Sequence, residues 1–171
     1  VEKGEARVQE ASPLRVADPG KRAFVDYLPV YSLRAAAGGF SDAQEVEVHD
    51  WVNVAGQVRM TRDLFVANVE GKSMEPLIPD GSLCVFRKFK SGSRQGRIVL
   101  VQNADLVDPE HGGTYTAKKY NSEKVFDKEG DWLHSEIILS PLNHEYQAIQ
   151  LTPEDENTVS VIAEFVCVLK I

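Results

Sequence analysis

The sequence is poor in the residues that staple or metallate a small domain: its 171 residues include two cysteines and four histidines. Cys84 in "SLCVF" and Cys167 in "EFVCVLKI" lie inside apolar, strand-like runs, where a thiol behaves as a small hydrophobe, so both are expected in the core. His49, His111, His134 and His144 have no Cys or His partner at ligand spacing, which speaks against a structural metal site. No metal and no other cofactor is expected. Net positive charge is also lacking. A formal charge of −7, with no dense Lys/Arg stripe interleaved with aromatics, opposes tight contact with a phosphate backbone, so direct DNA binding by this chain is not expected. No apolar run approaches the roughly 20 residues of a membrane helix, and no charged-then-apolar leader marks secretion, which points to a cytoplasmic protein with no membrane association. The first residue is Val and not Met, as in a processed product or a fragment of a longer protein.

What the chain does have is a 43% apolar content over a length that suits one domain, enough for a proper core. Residues 1–23 mix charge with Pro13, Pro19 and Gly20 and show no sustained apolar period; they read as a linker or loosely docked arm, with the folded domain spanning 24–171. From "FVDYLPVYSL" onward, short runs rich in Val, Ile, Phe and Tyr alternate with Gly, Pro, Asn and Asp, the pattern of a mainly β domain. Strands are expected near 28–34, 45–48, 64–70, 82–87, 97–102, 114–120, 123–127, 131–139, 146–151 and 158–170, with "DKEGDW" as a hairpin turn. Short helical turns are expected around 60–63 and after Met74. The apolar C-terminal run "VSVIAEFVCVLKI" is either an internal core strand or an edge covered by a second subunit.

The stretch "FVANVEGKSMEPLIPDGSLCVF" poses the chemical question. Its "GKS" ends like a phosphate-binding loop, but the required earlier glycine falls on Val66, and Pro76 and Pro79 oppose the helix that would face the phosphates. Ser73 is then a turn serine or a nucleophile. A serine hydroxyl attacks only when a base removes its proton. A Ser-His-Asp arrangement built in space stays open, although no histidine lies in a suggestive motif. The strand "GGTYTAKKY" offers a second base, because burial drives a lysine toward its neutral, basic form.

Three segments together resemble the LexA/UmuD/phage-repressor family of self-cleaving Ser-Lys peptidases. "VEGKSMEPLIPDGSLCVF" is similar to the family's Gly-x-Ser-Met segment, "YTAKKY" to its Thr-x-Lys-Arg strand, and "LPVYSLRAAAGGFSDAQ" to the segment holding its Ala-Gly cleavage site. The order and separations are the family's, except for a lengthening by "NADLVDPEHGG" between the serine and lysine elements, and the likeness spans residues 28–170. The resemblance implies a LexA-like domain of twisted, mostly antiparallel sheets with one or two short helical turns. It implies that Ser73 is the nucleophile, Lys118 the general base and Lys119 the family's basic neighbour. Strand alternation would send the two lysines to opposite faces, so only one can meet Ser73. Gly71 would let the backbone bend so that the N–H groups of Lys72 and Ser73 form an oxyanion hole, and the bond cut would be Ala37–Gly38, flanked by the small residues Ala36 and Gly39.

By the same resemblance the domain would regulate an attached or upstream effector in a DNA-damage (SOS) or other stress response, commonly transcription regulation through an N-terminal DNA-binding domain absent here. It would form a homodimer and respond to a RecA–single-stranded DNA filament. "SGSRQGRIVLVQ" and "DPEHGGTYTAKKYNSEK" resemble more closely the LexA-like domains at the ends of larger bacterial proteins, helicase fusions included. Two other readings compete: a non-cleaving dimerisation or sensor module, and a signal-peptidase-like processing enzyme, which would normally carry a membrane anchor. The plainer readings of the same residues are a capping serine, a solvated strand lysine and a flexible "RAAAGG" turn.

Overall fold

The computed structural model describes residues 13–32, 48, 50–103, 115–152 and 159–171. Among these, ten strands and a single 3-10 turn, Gly20–Arg22, form two antiparallel sheets. The smaller sheet joins β1 (Arg15–Val16), β3 (Trp51–Asn53) and β2 (Tyr27–Pro29) in that order. The larger has seven strands in the order β4 (Leu64–Val69), β5 (Ser82–Lys88), β10 (Val159–Val168), β6 (Ile98–Asn103), β7 (Tyr115–Phe126), β8 (Trp132–Ser140) and β9 (Ile149–Leu151). The expected mainly β, antiparallel fold is the one observed.

Strand β4 explains how the two sheets share a core. Its "LFVANV" run is buried at five of six positions, so it cannot be a strand with one wet face. Phe65, Ala67 and Val69 enter a cluster with Met74, Ile78, Cys84, Phe86, Leu100, Ala117 and Ala163. The alternate residues Leu64 and Val66 join Val85 and Leu169 from the large sheet to Leu28, Val52 and Val54 from the small-sheet side. A third cluster, Val99, Val101, Tyr120, Leu139 and Leu151, fills the region under β6 to β9.

Several local expectations need correction. The strand expected at 45–48 lies, apart from Val48, outside the described residues, while Trp51–Asn53 forms a strand that was not expected. The two strands expected at 114–120 and 123–127 are one 12-residue strand, β7, which runs unbroken because Asn121 and Ser122 stay in register with Ile138 and Ile137. Residues 60–63 make a turn and no helix, closed by Leu64 N–H donating to Thr61 O. The strand expected at 146–151 shortens to Ile149–Leu151. After Met74 one helical turn does close, Ile78 N–H donating to Met74 O at 3.0 Å. The "DKEGDW" turn holds: Asp127 Oδ1 accepts from Glu129 N and Asp131 N.

The C-terminal strand is not an edge. β10 lies between β5 and β6, pairing through Val159–Glu164 with β6 and through Ala163–Val168 with β5. The edges of the large sheet are β4 and β9. Cys84 is fully buried and Cys167 half-buried against the second cluster, in line with the packing role expected of both.

Candidate active site

Ser73 sits on the loop that joins β4 to β5, and the loop is tied down at three points. At its base Gly81 N–H donates to Val69 O at 2.8 Å, and Gly71 N–H donates to Asp80 Oδ1 at 2.7 Å. Gly71 has φ +96°, a value that residues with a side chain adopt only with strain, so a glycine is needed for the chain to turn there. In its middle, Met74 and Ile78 drop into the core at 2% and 0% exposure. Full burial of such side chains stabilises by about 1.5–3 kcal/mol each, so the turn is anchored by its own sequence directly after the serine.

Lys118 is the fourth residue of β7, opposite Val99 of β6. At 7% exposure it is the one charged residue buried among the described residues. Its Nζ lies 2.9 Å from Ser73 Oγ, 2.5 Å from Thr116 Oγ1 and 3.1 Å from the Ala117 carbonyl oxygen. Lys119, paired with Ile98 and Ser140, follows on the other side of the strand by alternation and is half-buried. Of the two adjacent lysines, then, Lys118 is the one brought to Ser73.

The two cysteine thiols are held in the weakly nucleophilic protonated form. Burial, with Cys167 adding to the effect, pushes the Cys84 thiol up to about 12, and its side chain is fully enclosed. Burial likewise raises the Cys167 thiol. Tyr31, whose hydroxyl is also raised by burial, packs its ring 5.5 Å from that of Phe65, and its N–H donates to Val66 O at 2.8 Å.

The expected oxyanion-hole donors are free to act. The N–H groups of Lys72 and Ser73 have no acceptor among the described residues, whereas that of Gly71 is taken by Asp80. The Ser73 N–H shares its peptide with Lys72 O, and the Met74 N–H shares its peptide with Ser73 O; both of these carbonyls are engaged. Lys72 O accepts from Glu75 N–H and from the Asn143 side chain, each at 3.1 Å, and Ser73 O accepts from Leu142 N–H and Asn143 N–H, each at 3.0 Å. The pair expected to be cut, Ala37–Gly38, with Ala36 and Gly39, lies outside the described residues.

Thr116 and the Leu142–Asn143 segment are the site neighbours that were not singled out from sequence. Thr116 had a usable signal, since it precedes Lys118 by two in a strand and so shares its face. Asn143 had none beyond the turn character of "SPLN", because its contact with Lys72 spans 71 residues.

A comparison with protein families adds an independent finding. The family model described as Peptidase S24-like matches residues 29–166, which takes in the Ser73 turn, the Lys118 strand and the segment at 142–143. A comparison with curated proteins finds no match.

Proposed function

The chain belongs to the Peptidase S24-like family, and from that premise we propose that Ser73 and Lys118 form its catalytic dyad. The domain is a self-cleaving serine endopeptidase of the LexA/UmuD type. The observation that carries the assignment is the 2.9 Å approach of Lys118 Nζ to Ser73 Oγ in a setting that is 7% exposed. Burial disfavours the ammonium form of a lysine. A neutral amine has two N–H donors and one lone pair; with donors to Ala117 O and Thr116 Oγ1, its lone pair can take the Ser73 proton.

The reaction then runs as an acyl transfer. Lys118 Nζ accepts the hydroxyl proton as Ser73 Oγ attacks the carbonyl carbon of Ala37. The carbonyl oxygen becomes an oxyanion held by the N–H groups of Lys72 and Ser73. As the intermediate collapses, the Ala37–Gly38 bond breaks and Lys118 returns the proton to the Gly38 amine; water then attacks the acyl-enzyme, Lys118 again serving as base. The direction of the chain supports this choice of bond. Val30 bridges Val66 in parallel, so the chain approaching residue 33 runs the same way as β4, toward the turn that carries Ser73. Ala37 lies six residue steps beyond Tyr31, an extended reach of up to about 20 Å.

Family membership is consistent with the dimers typical of LexA/UmuD peptidases. Homodimer formation by this chain, a RecA–single-stranded DNA filament as inducer, control of an attached effector in an SOS or stress response, and a cytoplasmic location belong to the same proposal. The test is incubation of the purified protein at alkaline pH, followed by a denaturing gel and mass spectrometry. Two fragments joined at Ala37–Gly38 are expected, and none from a folded Ser73→Ala variant. Cleavage of that variant at the wild-type rate would refute the dyad.

A further inference from the structure

We infer that Asn143 is a positioning residue for the oxyanion hole: its side chain clamps Lys72 O, the carbonyl end of the peptide that carries the Ser73 N–H donor, and so aims and polarises that N–H, while its backbone N–H fixes the next peptide through Ser73 O. This rests on the assignment of Ser73 as nucleophile. In a planar trans peptide the C=O and N–H point in opposite directions. The unit between Lys72 and Ser73 has its carbonyl fixed by Asn143 Nδ2 at 3.1 Å and by Glu75 N–H, and its other end is the Ser73 N–H. The unit between Ser73 and Met74 has its carbonyl fixed by the N–H groups of Leu142 and Asn143 at 3.0 Å. Each carbonyl thus has two donors, the number its lone pairs can take. Neither the Ser73 N–H nor the Met74 N–H has an acceptor among the described residues.

Two consequences follow from that arrangement, and one further contact secures it. Rotation of the peptide that carries the Ser73 N–H requires breaking hydrogen bonds on its far side, so the donor is preorganised before any substrate arrives. Donation to a carbonyl also polarises its peptide, which makes the N–H at the other end a stronger donor to a developing negative charge. Finally, Asn143 is itself held. Its Oδ1 accepts from Glu145 N–H at 3.0 Å, and its neighbour Tyr146 donates to Asn143 O at 3.1 Å, so the side chain is orientated by its own turn. The "SPLNHEY" segment between β8 and β9 is therefore a brace behind the nucleophile turn.

The side chain has two separable functions, which makes the idea testable. Asn143→Asp keeps an oxygen to accept from Glu145 N–H and remains a good turn former, but an ionised carboxylate cannot donate to Lys72 O. Asn143→Ala loses both bonds. Removing an oxyanion-hole donor outright lowers kcat by about 10²–10³-fold. Misaiming one should lower the plateau of the self-cleavage rate against pH by about 10- to 100-fold in both variants. The midpoint of that profile should stay put in Asn143→Ala, because Lys118 keeps its contacts. A residue that only shapes its turn would give a different result: Asn143→Asp would cleave like wild type while Asn143→Ala did not, and that outcome overturns the proposal. Amide hydrogen exchange of residues 71–75 in the same proteins reads the brace without reference to cleavage. Exchange should accelerate there in both variants with the large sheet still protected, and unchanged exchange overturns the clamp. Absence of cleavage in the wild type would instead refute the peptidase assignment of Ser73 and leave the exchange result to decide the brace.

Discussion

Replacing Lys118 by methionine should abolish self-cleavage while leaving the domain as stable as before or more so. Methionine is unbranched, of similar length, and tolerant of irregular cavities. The substitution removes three polar contacts, to Ser73 Oγ, Thr116 Oγ1 and Ala117 O. Ser73 and Thr116 are half-buried, so their hydroxyls can turn to water, and the Ala117 carbonyl is the group left short, at about 1 kcal/mol. Against this stands the burial of an ionisable head at 7% exposure, and apolar replacement of buried charged groups is often neutral or stabilising by about 1–4 kcal/mol. The balance at neutral pH is between no change and a gain of about 2 kcal/mol, a rise in Tm of up to about 8 °C for a domain of this size.

The pH dependence has a definite sign. A lysine that serves as the base must be neutral in the folded domain, so on that assignment the unfolded chain holds the proton more tightly than the folded one, and wild-type stability should rise with pH up to the unfolded lysine value of about 10.4. The advantage of Lys118→Met should therefore shrink between pH 7 and pH 10. Thermal melts at the two pH values measure it, and a denaturing gel measures cleavage, which should fall by at least about 10²–10⁴-fold for loss of the general base. A variant that melts well below wild type at pH 7 would refute the claim that this lysine is held against its own solvation. A variant that still cleaves would refute its role as base.

Gly38→Asp should block cleavage by adding bulk and charge on the leaving-group side, and mass spectrometry of wild-type fragments should find the break after Ala37; fragments ending elsewhere would move the site. Cys84 should resist iodoacetamide in the folded protein at pH 8 and react on unfolding, because raising its thiol from 9.0 to about 12 cuts the thiolate fraction by about a thousandfold even before enclosure is counted. Rapid alkylation of Cys84 in the native state, read as a mass shift on its peptide, would show that this part of the core opens.

The parts of the fold that were legible in the sequence are those whose burial is encoded locally. "LFVANV", "SLCVF" and "IVLV" are apolar runs bounded by turn residues, and they became β4, β5 and β6. Trp51–Asn53 was not legible because it is three residues long and owes its strand state to pairing with β1 and β2 and to Val52 packing against β4 and β5. The break expected inside β7 came from the polar Asn121 and Ser122. There Gln95 supplies what an apolar face does not, accepting from Ser122 N–H at 2.9 Å and donating to Asn121 Oδ1. Whether "VSVIAEFVCV" ends at an edge or runs through the middle was open from sequence, since both positions accept the same residues; the crossover that inserts it between β5 and β6 settles it. For the site, Ser73 and Lys118 were readable as a motif, and which of two adjacent lysines meets the serine is a matter of strand parity.

The geometry also constrains how such a site can be regulated. Lys118 is fixed by a strand paired on both sides, and Ser73 by a turn whose Met74 and Ile78 are buried and whose carbonyls are braced by Leu142 and Asn143. The 2.9 Å contact is thus made entirely by the sheet and its attached turns, with no contribution required from an inducer. An inducer can accelerate cleavage only through a free-energy difference between two forms of the protein. If Ser73 and Lys118 are the dyad, it is already assembled, and the variable left for an inducer to act on is delivery of the proposed scissile bond, Ala37–Gly38, to Ser73. Substitutions that favour or disfavour that delivery should therefore change the inducer dependence without moving the pH midpoint set by Lys118, whereas substitutions at Thr116 should move the midpoint and leave the inducer dependence intact.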